Sequence, residues 1–446
     1  MKKEELKKVA LGEIERHGER IVRLGKSIFS EPEEGFAEFK TAEKVKEILT
    51  EWGISFREGL GRTGVKGLLD SGRDGPTIAL LGEMDAVFNP EHPLAHKDTG
   101  LVHACGHHTQ MAWLIGAGFG LKEVMEDLSG KVVLFAVPAE EFINLEFRQK
   151  LKDAGEIRYF GGKQELVYVG AFDDVDLVMM SHAQSEIPGR AVFLSDGSNG
   201  FVGKTARFLG RAAHAGVAPF KGINALNAFH VALSAIHAQR ETFKDDDMVR
   251  VHLIVTKGGD SVNVVPSEVR AEMYVRAKSV GAIKEANEKV DRALKAGALG
   301  IGARVEISNM PGYLPISNDE KLGNLWMENA AELLGKENVH RLGPFGGSTD
   351  MGDLTLLKPG IHPFVGSFTG DIHSKDFVVD DEEMAFLIPT KILAMTVIDL
   401  LVQGAEEARS IISQFRPQLT KEEYLELLDS LTYKTLWKGE EREGRD

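Results

Sequence analysis

Thr77-Ile78-Ala79-Leu80-Leu81-Gly82-Glu83-Met84-Asp85 is a compact apolar run that ends on two acids. A short apolar run of this kind, bounded by turn residues, reads as a strand buried on both faces. Residues 131–137 and 175–180 have the same form, and each also runs into polar residues, Glu140 and Glu141 after the first and His182 after the second. Helix-period segments precede them, at residues 4–27 and 36–52, the latter ending at Gly53. Strands alternating with helices predict an α/β fold with a mostly parallel sheet. Ligands in such sheets bind beyond the carboxyl ends of the strands, so the three polar clusters are expected to converge on one crevice.

The pattern changes between about residues 205 and 310. A strand-like stretch at 206–212 leads to a helix at 223–242, strands at 249–256 and 268–277, a helix at 281–296 that Gly297 is expected to stop, and a strand at 304–308. This β-α-β-β-α-β order is that of a ferredoxin-like unit, set off by Gly and Pro on both sides. The expected organisation is a catalytic domain whose first part is 1–197, an inserted domain at 198–310, and a second catalytic part at 311–446 with a C-terminal helical tail. Thr420 and Glu423 form a capping-box pattern ahead of that tail's helix, and 438–446 read as a frayed polar end.

A chain of 446 residues exceeds one ordinary core. Its 53 basic against 68 acidic side chains give a net charge of −15, which repels nucleic-acid backbones and anionic membranes, so neither is an expected partner. The longest uncharged apolar run, 111–121, is interrupted by Gly116, Gly118 and Gly120 and falls short of a bilayer span. The single cysteine, Cys105, cannot close an intrachain disulfide, and the N-terminus interleaves acids and bases without an apolar core. Both point to a cytoplasmic protein.

Three histidines flank that cysteine in Val102-His103-Ala104-Cys105-Gly106-His107-His108. Thiolate and imidazole suit zinc and related divalent ions. A lone cysteine or histidine is more often a packed core residue, and the clustering is what raises the metal reading. Adjacent Glu140 and Glu141 point in different directions, so one is able to hold a metal while the other acts as general base. Taken alone, such a pair is more often a helix N-terminus favoured by the macrodipole. An acid in Leu81-Gly82-Glu83-Met84-Asp85-Ala86, after another strand, is placed either to orient a metal-bound imidazole or to cap a turn. His182 and His373 are further candidate ligands. A P-loop is excluded because Ser198 stands where its first glycine belongs and a strand follows, and no serine sits in a Gly-x-Ser-x-Gly turn. A thiol enzyme using Cys105 as nucleophile remains a rival.

Taken in order, these pieces resemble the two-domain dinuclear metallopeptidase family of aminoacylase-1, carboxypeptidase G and the bacterial and plant amidohydrolases. The branch of aminobenzoyl-glutamate hydrolase subunits and related dipeptidases is the most similar. The resemblance spans about residues 30–400. It rests on Met84-Asp85-Ala86, His103 to His107, Pro138 to Glu141, Gly210 to Pro219 with His214, Gly258 to Pro266, Tyr274-Val275-Arg276, Pro311 to Pro315, Gly346 to Asp353 and His373 to Phe377.

The resemblance implies that Cys105 bridges two divalent ions in each protomer, zinc or manganese with cobalt or nickel as alternatives. His107, Glu141, His182 and His373 would be the other ligands, with Asp85 behind them and Glu140 as general base. It implies a homodimer through the inserted domain, which serves as a lid. His214 would reach the partner's site and steady the oxyanion, and Asn263 and Arg276 would contact substrate. A substrate carboxylate would fit Arg276 with the amides of Gly346 and Gly347, although a plain turn explains those glycines equally well. His108 departs from the family, which usually carries Asp or Asn there. The expected activity is hydrolysis of the amide in a small N-acyl amino acid, an aminobenzoyl-glutamate-like compound or a dipeptide, by water activated between the ions. The alternative is a catalytically silent metal-binding or regulatory protein on the same fold.

Overall fold

The computed structural model describes residues 2–185 and 189–438, and its chain divides into two compact units. The first takes in the stretch up to Asp196 together with Ile316–Gly343 and Asp350–Thr420. The second comprises Gly197–Pro315, Pro344–Thr349 and the C-terminal stretch from Lys421. Of the polar end read at 438–446, residues 439–446 lie outside the described residues.

The first unit is a mixed α/β structure built on a six-stranded sheet. Its strand order is Ser55–Leu60, Gly64–Asp70, Lys131–Val137, Thr77–Glu83, Leu177–Met179 and Gly360–Ile361. The last four run parallel to one another, and the first two form an antiparallel hairpin on one edge. Thr77–Glu83 is buried along nearly its whole length, which is why its sequence is apolar without alternation.

Helix His107–Lys122 packs on that sheet and is buried from His107 to Leu121. The glycines that interrupt its apolar run are its points of closest approach. A Cβ at Gly116 would come within 2.7 Å of Thr390, one at Gly118 within 2.5 Å of Leu134, and one at Gly120 within 2.7 Å of the Ala10 carbonyl oxygen. Three neighbours therefore close on this helix at distances that only glycine permits. One neighbour, Ile388–Leu401, extends the turn from Glu383. That segment is long and apolar enough by composition to cross a membrane, but 94% of its window is buried inside the protein, so it is a core helix. The N-terminal helix read as continuous over 4–27 is two, Lys3–Arg16 and Gly18–Phe29. The break falls at His17, whose ring packs against Trp52 and Phe119.

The second unit carries a five-stranded antiparallel sheet. Its order is Arg250–Lys257, Glu268–Ala277, Gly200–Leu209, Arg304–Pro311 and Tyr433–Trp437. Helices Ala225–Ala238 and Val280–Ile301 pack on each other and on this sheet. Gly297 does not end the second helix, contrary to the reading from sequence. A Cβ there would lie 2.5 Å from the Ala228 carbonyl oxygen, so this glycine is a helix–helix contact, and the helix stops at Gly302, whose φ is +73°. The chain's last strand, Tyr433–Trp437, pairs with Arg304–Pro311, whereas the reading placed a helical tail with the catalytic part. The Tyr433 hydroxyl ties it down by bonding Asp291 at 2.7 Å and Asn287 at 3.0 Å.

Candidate metal centre

Each parallel strand delivers side chains past its carboxyl end. Thr77–Glu83 supplies Glu83 and then Asp85, Lys131–Val137 leads through Pro138 to Glu140 and Glu141, and Leu177–Met179 leads to His182. Cys105 and His107 stand on either side of Gly106 at the start of the central helix. Gly106 adopts φ +89°, and a Cβ there would meet that of Ala183 at 2.4 Å, so the glycine allows Cys105 and the His182 strand to close together. Cys105 Sγ lies 3.4 Å from His182 Nε2. His373 is held at φ +67°, its amide bonded to the Ala104 carbonyl at 2.8 Å and its own carbonyl to Asn89 Nδ2 at 2.8 Å. Ala139, just before the paired acids, also has positive φ, +55°. Uncommon backbone conformations at both places are what a functional site tolerates.

The ligands expected from sequence come together. Cys105 Sγ lies within 4.8 Å of a nitrogen of His107 and a nitrogen of His182, and these of each other. The same thiol forms a second group of this size with Glu141 and His373, whose Oε1 and Nε2 are 3.1 Å apart. Asp85 sits behind both groups. Its Oδ1 is 3.3 Å from His107 Nδ1 and its Oδ2 accepts the Glu141 amide at 2.8 Å. Glu140 Oε2 is 4.0 Å from His107 Nε2. His182 Nδ1 faces the Ala183 carbonyl at 2.7 Å, so its proton belongs there and Nε2 turns a lone pair toward the thiol.

The electrostatics ask for cations. Glu83, Asp85, Glu140, Glu141 and Asp350 are all buried, and Lys163 is the buried lysine among them. Burial, with Glu83 and Glu141 beside it, pushes Glu140 well above the usual carboxylate range. Burial and then nearby Asp85 raise Glu38, which accepts the Ala139 amide, to about 8. Burial would also raise Glu141, but His373 and His107 hold it at about 2. His107 Nε2, Asp85 Oδ1 and Glu141 Oε1 are buried without an aligned hydrogen bond. Excess negative charge, buried polar atoms held only by unaligned ionic contacts and a thiol shared between two groups fit a pair of divalent cations.

Two residues that sequence reading left aside stand out. Glu83, one of two acids weighed there but not assigned to the site, reaches His107 Nε2 at 3.1 Å and accepts a hydrogen bond from Gln110 Nε2 at 2.9 Å. Lys163 is fully buried and bridges Glu83 and Asp350. Lys163→Met leaves both acids buried without their counter-charge. We expect it to cost about 3 kcal/mol of stability, measured by denaturant unfolding. His108 joins no donor group among the described residues. Its ring lies 4.9 Å from Phe29 and 5.9 Å from Phe386, and burial, then His107, lower its pKa to about 3.

The second unit holds the remaining candidates in two places. His214 bridges to Val264, and the Ala215 amide bonds the Asn263 carbonyl at 2.9 Å, which brings His214 and Asn263 together. His214 Nδ1 accepts the amides of Gly216 and Val217 at 3.2 and 3.1 Å, leaving the proton on Nε2. Arg276 lies near the other end of its strand, where Nη1 donates to Ser348 Oγ at 2.8 Å, beside Gly346 and Gly347.

Thiol, imidazole and paired acids at the strand ends of such a sheet define a metal-dependent hydrolase. Residues 79–399 match the family model described as peptidase family M20/M25/M40, and the chain belongs to that family. It is 28% identical over 443 residues to a Xaa-Arg dipeptidase of Mus musculus, covering 94% of both chains. It is also 28% identical over 375 residues to one chain of the p-aminobenzoyl-glutamate hydrolase of Escherichia coli (strain K12), covering 79% of each. Among solved structures, a dinuclear metal-binding M20 peptidase of Bacillus subtilis superposes with a TM-score of 0.69 at 23% identity, over 87% of this chain and 99% of that one. The chain is a hydrolase of amide bonds.

Proposed function

We propose that this protein is a cytoplasmic amidohydrolase that uses two divalent ions, zinc or manganese, to cleave a small N-acyl amino acid, an aminobenzoyl-glutamate-like compound or a dipeptide. The observation that carries the proposal is the membership of Cys105 in both donor groups, which suits a thiolate shared by two ions. His107 and His182 would complete one site, and Glu141 and His373 the other. The ions would supply Lewis-acid polarisation and lower the pKa of water. Asp85 orients the His107 ring and the Glu141 backbone. Glu140 takes the proton from the attacking water and passes it to the leaving nitrogen. His214, protonated on Nε2, donates to the developing oxyanion, with Asn263 beside it. Arg276, with the amides of Gly346 and Gly347, takes the substrate carboxylate.

The second unit acts in this reading as a ferredoxin-like lid and dimerisation domain. Supporting it, strand Arg250–Lys257 is an edge of the sheet with Ile254 and Val255 exposed. An open apolar edge is a template for a second copy. The positions of His214 and Arg276 support it too. Glu268 and Arg276 lie eight residues apart on one strand, and His214 sits beyond the Glu268 end, because Leu209 pairs with Glu268. At about 3.3 Å per residue the Arg276 backbone is on the order of 26 Å from Glu268, with His214 further on, too far for one small substrate to touch both in the same chain.

Removal of metal by a chelator should abolish hydrolysis across a panel of N-acyl amino acids, aminobenzoyl-glutamate and dipeptides, and zinc or manganese should restore it. Turnover that survives in metal-free protein but is lost on thiol alkylation would overturn the proposal for a Cys105 nucleophile. A fully metallated protein that hydrolyses nothing on the panel would favour the silent metal-binding alternative.

A further inference from the structure

We infer that His252 is a positioning residue that fixes the Arg276 guanidinium and directs a substrate carboxylate onto its Nη1/Nη2 edge. This rests on the proposed role of Arg276 in holding that carboxylate. His252 lies on Arg250–Lys257 directly across from Tyr274, and Arg276 is two residues further along the neighbouring strand, on the same face. Arg276 Nε donates to His252 Nε2 at 3.1 Å, and Nη1 donates to Ser348 Oγ at 2.8 Å. The guanidinium carbon stands 5.1 Å from the Phe201 ring centroid and 5.4 Å from that of Tyr274. The His252 ring meets Tyr274 edge-on at 5.7 Å between centroids.

These contacts decide which donors remain. An Nε acceptor at His252 closes the side-on edge that Nε offers to a carboxylate, while Ser348 consumes one of the two Nη1 protons. Among the described residues the other Nη1 proton and both Nη2 protons are left to meet a carboxylate from the Nη1/Nη2 side. Accepting that hydrogen bond requires a neutral imidazole with its proton on Nδ1. Desolvation, then the neighbouring guanidinium, lower the His252 pKa and favour this form. The two aromatic rings limit rocking of the guanidinium plane, and His252 and Ser348 limit its rotation within that plane. An arginine held in this way has lost its side-chain freedom before substrate arrives, which strengthens binding without adding a contact.

The test compares one N-acyl amino acid with its primary amide, which lacks the carboxylate, on four forms of the full-length metallated enzyme: wild type, His252→Phe, His252→Gln and Arg276→Ala. Phenylalanine keeps the ring against Tyr274 but cannot accept a hydrogen bond, whereas glutamine can accept through its amide oxygen. Loss of one hydrogen bond to a charged group should raise KM for the acid about tenfold in His252→Phe, with a much smaller change in kcat and in the KM of the amide. His252→Gln should recover most of that loss. An Arg276→Ala enzyme with raised KM for the acid, alongside an unaltered His252→Phe enzyme, overturns the positioning role and leaves that of Arg276 standing. Equal losses by His252→Phe on both substrates show a merely structural role and also overturn it. An Arg276→Ala enzyme that treats both substrates as wild type does removes the carboxylate site and this inference together.

Discussion

Glu140→Gln should purify with its metal intact and with kcat reduced roughly 10²- to 10⁴-fold, the range that a positioned general base contributes. The two donor groups that share Cys105 do not include Glu140, so its amide isostere leaves both unchanged. Glutamine cannot accept a proton from water, and the loss therefore falls on the chemical step and not on KM. Cys105→Ala should behave in the opposite way. Both donor groups lose their common member, and metal content measured by mass spectrometry should fall before any rate is considered. The control is Glu141→Gln, which removes the charge of one group only. Glu140 does appear in a third donor group with Glu83 and His107, whose Nε2 is 3.1 Å from Glu83 Oε2. If Glu140→Gln came off the column depleted of metal, Glu140 would be a ligand through that group. The assignments of the two adjacent acids would then be exchanged.

What the sequence made legible followed from locally encoded signals. Strands Thr77–Glu83 and Lys131–Val137 are continuous apolar runs because both faces are covered, and acids at their ends lie where a parallel sheet puts its ligands. The convergence of Cys105, His107, Glu141, His182 and His373 needed motif order as well as these signals, since no period links residue 105 to residue 373. Lys163 was not legible. Its partners, Glu83 and Asp350, are 80 and 187 residues away, and nothing near Lys163 distinguishes a buried bridging lysine from a solvated one. Gly297 was misread because a glycine that ends a helix and a glycine that admits a neighbouring helix look alike in one dimension. Only the 2.5 Å approach of Ala228 separates them. The last strand, Tyr433–Trp437, is five residues long, and its place depends on pairing with a strand more than a hundred residues earlier.

Mixing His214→Ala with Arg276→Ala should restore activity that neither variant has alone. The oxyanion donor lost in the first should cost roughly 10²- to 10³-fold in kcat/KM, and the charged hydrogen bonds lost in the second roughly 10- to 10²-fold. The strand register puts these two side chains at opposite ends of one sheet, and in the proposed dimer they reach one substrate from different copies. In a heterodimer of the two variants, one site then receives an intact Arg276 from the His214→Ala chain and an intact His214 from the Arg276→Ala chain. The other site receives neither. Random 1:1 assembly makes half of the dimers heterodimers, so roughly a quarter of all sites should regain wild-type kcat/KM. Were both residues to serve the same site from one chain, every site in the mixture would lack one of them and exchange would restore nothing. Native mass spectrometry that shows heterodimers at the statistical level, together with activity no higher than the mean of the two variants, would place His214 outside any shared site.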